Sequence, residues 1–95
     1  MAKFLKAANA LFGHKQRYNI AIVLRGSPKS FSELKGMFNL TAPTLDFHLK
    51  LLKKGLIIEQ MEPRGNYSLT VVGESLLIYF TKWIHHLQQV MKLVK

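Results

Sequence analysis

Cysteine is absent from the 95 residues, which excludes disulfides and thiolate metal centres and leaves the redox compartment undecided. Acidic residues are almost as scarce, and all of them (Glu33, Asp46, Glu59, Glu62, Glu74) fall between positions 33 and 74. With 14 Lys and Arg against 5 acids the net charge is +9, which calls for an anionic partner, either nucleic acid or an acidic membrane surface. A merely solubilising basic surface is the competing account. There is no Gly-rich phosphate loop, no H-E-x-x-H pair and no obvious carboxylate pair in a cleft, so the sequence reads as a non-enzyme. A signal-type apolar run at the N-terminus is lacking, as is any uncharged stretch of about 18 residues. The expectation is a soluble cytoplasmic, nucleoid-associated protein that does not enter membranes.

What is there is apolar enough to fold: 48% of the residues are hydrophobic and 20% charged. A chain of this size forms one domain, residues 1–95, burying only about 60 to 65% of its unfolded surface, so help from a partner subunit is expected. The cations are unevenly spread. Lys35, Lys50, Lys53, Lys54 and Arg64 balance the acids in the middle, whereas Lys3, Lys6, Lys15, Arg17, Arg25 and Lys29 ahead of them, and Lys82, Lys92 and Lys95 behind, carry the excess. Flanking helices are therefore candidates to share phosphate contacts.

Taken in order, Met1, Phe4, Leu5, Ala8, Leu11 and Phe12 recur at helical spacing and predict an amphipathic N-terminal helix over 1–12. Gly13 interrupts it. A second helix is predicted over 14–24, its stripe formed by Tyr18, Ala21, Ile22 and Leu24, with Ile20 and Val23 widening it, and Gly26-Ser27-Pro28 stops it. Lys29 to Phe31 reads as a very short strand. Ser30 with Glu33, or Ser32 alone, caps a brief third helix that turns Leu34 and Phe38 inward.

The stretch from Thr41 to Leu56 organises the rest. At about 100° per residue, Leu45, Leu49 and Leu52 converge on one side, while Pro43, Phe47, Lys50 and Lys54 converge on the other. Thr41 serves as N-cap, Pro43 is tolerated in the first turn, and Gly55 is expected to supply a left-handed residue at the end. Asn39-Leu40-Thr41 leaves so short a connection to the preceding helix that the pair reads as a helix-turn-helix. Beyond it, residues 56–61 and 67–70 are β-prone and flank a hairpin tip, Glu62-Pro63-Arg64-Gly65-Asn66.

His48-Leu49, Leu52 and Gly55-Leu56, with Ser32-Glu33-Leu34-Lys35 upstream and Leu69-Thr70 and Gly73 downstream, resemble ArsR-type and MarR-like winged-helix transcriptional regulators over residues 14–76. Two departures stand out. Two residues separate Leu52 from Gly55 where the pattern H-L-x-x-L-x-x-x-G-L has three, which shortens the helix, and Asp46 and Phe47 stand where many members carry Ser and Arg. The resemblance implies a mainly α fold with a small β-hairpin: a winged helix-turn-helix core over 14–70 and a long C-terminal helix over 71–95. It also implies double-stranded DNA as partner.

Thr70 caps that last helix, placed over 71–93. Leu76, Phe80, Trp83, Leu87, Val90 and Val94 alternate at intervals of four and three, the rhythm that keeps a seam toward a partner helix, and Leu77, Ile84 and Met91 run alongside. The helix outruns so small a domain. A homodimer is expected, with Phe4, Leu5, Leu76, Phe80, Trp83, Ile84, Leu87, Val90 and Met91 in the interface; packing wholly within one subunit is the alternative.

For DNA, Lys50, Lys54 and the wing residue Arg64 are the phosphate candidates, with Lys53 nearby. Thr41, Pro43 and Thr44 line the helix entry. Thr44 and Phe47 suit thymine methyls, and Asp46 suits a cytosine amino group. Against this, Asp46 in the first turn serves the helix dipole, Lys53 and Lys54 suit its C-terminus, and Phe47 fits a protein partner. His85 and His86 are adjacent and so about 100° apart on a helix, and the metal sensors of the resembled family use Cys or spaced Asp/His sets that this chain lacks. No metal or cofactor is expected. His48 is placed at the core edge with one ring nitrogen hydrogen-bonded.

The function expected is that of a dimeric regulator. Helix 41–54 enters the major groove, wing 62–66 meets the minor groove, and half-sites lie about 34 Å apart on a pseudo-palindrome. A low-specificity architectural chromatin protein and a winged-helix protein-interaction module are the alternatives. Any small-molecule effector is unknown.

Overall fold

The structure, a computed structural model, describes residues 2–94; Met1, placed above in the first apolar stripe, and Lys95 lie outside them. The elements run α1 Ala2–Phe12, α2 Lys15–Gly26, α3 Phe31–Phe38, α4 Ala42–Lys54, β1 Ile58–Gln60, β2 Tyr67–Leu69 and α5 Val71–Leu93. It is a mainly helical fold with a two-stranded antiparallel hairpin and a long final helix. Ile58 opposes Leu69, Glu59 opposes Ser68 and Gln60 opposes Tyr67. The strand expected at 29–31 is a single bridge: Lys29 exchanges both backbone hydrogen bonds with Tyr67 on its far side from β1, and Phe31 already belongs to α3.

Helix starts follow the side chains. His14 caps α2 by accepting the Gln16 N–H at Nδ1. Ser30 and Glu33 close a reciprocal capping box on α3, Thr41 caps α4 and Thr70 caps α5. Thr70 also donates its hydroxyl to carbonyls at Leu56 and Ile57, fixing the entry to α5 against the exit from α4. A Cβ on Gly73 would stand 2.5 Å from the Ile57 carbonyl oxygen, so the first turn of α5 lies directly on that backbone.

The core gathers one face from each helix. Its largest fully buried side chains are Leu11, Ile20, Leu34, Leu45, Leu49, Leu52, Ile57 and Leu77. In α1 it is Ala7 and Leu11 that face inward, while Phe4 and Leu5 are exposed. In α2 the buried set is Ile20, Ala21 and Leu24, with Ile22 turned outward, because the i to i+4 row from Ile20 to Leu24 meets the body.

The end of α4 differs from the sequence expectation. Gly55 has φ −82°, an ordinary right-handed value, and Leu56 carries the left-handed one at φ 66°. Glycine is needed at 55 for room: a Cβ there would stand 2.5 Å from the Ala10 Cβ of α1. Among the described residues no helix is long and apolar enough to cross a membrane.

Candidate nucleic-acid interface

Helices α3 and α4 are joined by Asn39, which takes the left-handed conformation at φ 50° and donates its N–H to the Lys35 carbonyl. Asn tolerates that region at small cost, so the turn closes in few residues and α4 leaves at a fixed angle. Leu45, Leu49 and Leu52 are then 0, 1 and 0% exposed. On the opposite side Pro43, Thr44, Phe47, Lys50 and Lys54 are exposed, and Phe47 shows 57% of its surface. The helix thus divides as its sequence predicts.

The outer face has internal order. The Thr41 hydroxyl donates to that of Thr44 at 2.9 Å, so the cap also fixes the Thr44 side chain. Lys50 Nζ lies 2.8 Å from the Asp46 carboxylate one turn earlier. That hydrogen bond holds the Lys50 ammonium above its ordinary pKa. The pair is solvent-exposed and can be exchanged for an external anion at little cost. Phe47 stands edge-on to the His48 ring at 5.4 Å.

The remaining cations divide. Lys53 turns toward the wing, where its ammonium donates to Gln60 Oε1 at 3.3 Å and lies 5.9 Å over the Tyr67 ring. Gln60 in turn donates to the Gly65 carbonyl at 2.8 Å, bracing the hairpin tip. Burial pushes the Tyr67 hydroxyl above its usual pKa, and the Asp46 charge pushes the same way. Arg64 is exposed at the tip in a left-handed conformation, φ 63°. Lys54 lines a notch between α1 and α4 together with Lys6, Asn9, Arg17 and Gly55.

Sequence reasoning missed Arg17. Its Nε donates to the Ala10 carbonyl at 2.7 Å, and its Nη1 lies 3.4 Å from His48 Nδ1. His48, buried at 4% exposure, is placed as expected, with that ring nitrogen bonded. Burial is the main cause that pushes the His48 imidazole below its ordinary pKa, and the charges of His14 and Arg17 add to it. Nothing in the local sequence signals a contact between residues 31 positions apart. His14 missed notice too: its ring packs on that of His48 with centroids 4.6 Å apart.

The residues expected at a subunit interface lie on α1 and α5. Phe4, Phe12, Leu76, Tyr79, Phe80 and Trp83 line an open apolar groove of about 430 Å³ between these helices. Further along α5, Leu87, Val90 and Met91 are exposed and Ile84 is half-buried. Among the described residues no group of three or more His, Asp or Glu gathers as a metal site would require.

No protein-family model matches the sequence, and no curated protein does. Solved structures do match the fold over nearly its whole length. The crystal structure of quinone-bound YodB from B. subtilis superposes with a TM-score of 0.72 at 27% identity, covering 90% of this chain and 94% of that one. HlyU from Vibrio cholerae gives 0.73 at 19% identity, covering 86% and 91%. An ArsR family transcriptional regulator gives 0.67 at 16% identity, covering 95% and 97%. Capped helices 3 and 4, the braced hairpin and these likenesses define a winged helix-turn-helix protein. Its fold is shared with HlyU and with that ArsR family transcriptional regulator.

Proposed function

We propose that the chain is a DNA-binding transcription regulator that acts as a homodimer, with α4 in the major groove and the hairpin tip at the minor groove. One observation carries this reading. The fold buries three leucines of α4 and leaves Thr44, Phe47 and Lys50 outward on a face that nothing else among the described residues covers. The net charge of +9 supports a polyanionic partner. The ArsR family transcriptional regulator among its structural likenesses supports the transcriptional role.

In this account Lys50 exchanges Asp46 for a phosphate and Arg64 reaches the backbone beside the minor groove. Lys54 reaches phosphate from the far end of the helix. Thr41 and Pro43 set the approach of the first turn. Thr44 and Phe47 offer methyl and ring to thymine, and the released Asp46 accepts from a cytosine amino group. The apolar strip on α1 and α5 pairs with its copy, placing two recognition helices about 34 Å apart for a pseudo-palindromic site.

The test is the salt dependence of duplex affinity. Lys50→Ala and Arg64→Ala each weaken binding and reduce the slope of log affinity against log salt by about one. Unchanged affinity and slope in both variants would transfer the outer face to a protein partner.

A further inference from the structure

His48 is the one polar side chain buried among the core residues of the described chain, and it belongs to the helix proposed to enter DNA. A guanidinium can only donate, so the Arg17 contact makes Nδ1 of His48 an acceptor and places the ring proton on Nε2. Arg17 is anchored at its other edge to the Ala10 carbonyl near the end of α1. One side chain of α2 therefore ties α1 to α4.

The surroundings make this tie sensitive to charge. Of the charged groups on elements packed against α4, His14 and Arg17 act on the His48 ring, and both disfavour its protonation. Lys6 of α1 and Lys54 at the end of α4 share the notch beside Arg17, adding cations. Carboxylates are engaged elsewhere: Asp46 with Lys50, Glu33 with the Ser30 N–H, Glu74 with Arg25, while Glu59 and Glu62 are exposed on the hairpin. No anion stands ready to neutralise a second charge. His14 is exposed and its ring lies against His48, so the cluster is open to solvent on that side.

We propose that Arg17 and His48 form a proton-sensitive clamp on the recognition helix, released when His48 takes up a proton and thereby lowering affinity for DNA. Protonation at Nδ1 removes the lone pair that accepts from Arg17 and sets a cation 3.4 Å from the guanidinium. The ring must then turn or leave, and α4 loses the link to α1 that runs through Arg17, keeping the direct contact of Gly55 with Ala10. Arg17 and His48 are positioning residues in this scheme and need not touch DNA. The readout on DNA rests on the function proposed above, whereas the clamp itself does not.

The sign separates the clamp from ordinary electrostatics. Added positive charge on the surface strengthens phosphate binding, whereas release of the clamp weakens it. Duplex affinity is measured at fixed ionic strength from about pH 7.5 down to pH 5.5, the range in which histidine changes charge. Wild type is expected to lose affinity across that range, and His48→Asn, whose side-chain oxygen can replace Nδ1 as acceptor, to stay flat or gain. Affinity that rises on acidification in wild type, or an equal loss in His48→Asn, overturns the proposal. Without DNA, and in wild type alone, histidine ¹⁵N shifts and amide exchange give the same decision. Faster exchange confined to α4 as His48 protonates supports the clamp; uniform exchange, or none, overturns it. That second arm remains decisive if the variant does not fold or if the wild type binds no DNA at any pH.

Discussion

Gly55 and Ala10 touch so closely that a Cβ on Gly55 would stand 2.5 Å from the Ala10 Cβ. This contact joins the end of α4 to α1, and no exchange of rotamers relieves it because both positions are backbone-fixed. Gly55→Ala is expected to lower unfolding free energy by about 1–3 kcal/mol through overpacking. Adding Ala10→Gly should recover part of that loss, and denaturant titration of the four combinations measures the coupling. A strictly additive result would place the cost elsewhere.

The capping box on α3 makes a prediction about pH. Its hydrogen bonds to Ser30, the backbone one first, hold the Glu33 carboxyl below its ordinary value of 4.5. A depressed carboxyl pKa contributes stability that is present above the unfolded value and is lost as pH falls through the folded one. Glu33→Gln should therefore lower stability at neutral pH, and the gap from wild type should close as pH falls below about 4.5 and the wild-type carboxyl is protonated. Ser30→Ala should cost about 0.5–2 kcal/mol at neutral pH. Thermal unfolding across pH 3 to 7 checks both.

Opposite faces of α4 should respond differently to truncation. Leu49→Ala removes a side chain that is 1% exposed and should cost about 2–5 kcal/mol. Phe47→Ala, from a side chain 57% exposed, should change stability by about 0.5 kcal/mol or less and act on DNA affinity instead. Unfolding and duplex titration on the same two variants separate the roles. A large stability loss in Phe47→Ala would mean that the ring serves packing.

Association should depend on α5. Trp83 shows 56% of its surface at the groove beside α1, and Leu87 continues the same strip. Trp83→Glu or Leu87→Glu should yield a monomer by sedimentation velocity and abolish the concentration dependence of the wild-type melting temperature. DNA affinity should fall with it, since two linked recognition helices become one. A wild-type monomer at all concentrations would remove the dimer from the account.

The parts legible in the sequence were those set by local chemistry. Ser30-Glu33, Thr41 and Thr70 announce their helices because each cap needs only residues three positions away. The leucine stripe of α4 fixes its phase because polar residues occupy the other side. The phase of α1 was only partly legible: of its expected stripe Leu11 is buried while Phe4 and Leu5 are exposed, and Ala7, outside that stripe, is buried by neighbours the local sequence does not reveal. The same holds for Gly55, whose role is set by a residue of α1, and for the Arg17–His48 pair, formed only when α2 and α4 pack. The outward positions of Asp46, Lys50 and Arg64 followed from periodicity and turn chemistry, whereas the tie of Lys53 to Gln60 and Tyr67 required the wing to be in place.

The central claim is that the open face of α4 reads duplex DNA, and selection of bound duplexes from a random pool tests it most directly. The predicted result is enrichment of one motif with two inverted half-sites about 10 base pairs apart centre to centre, lost when Lys50 and Arg64 are both replaced by alanine. A pool that emerges without enrichment, or with a motif indifferent to those replacements, would contradict it.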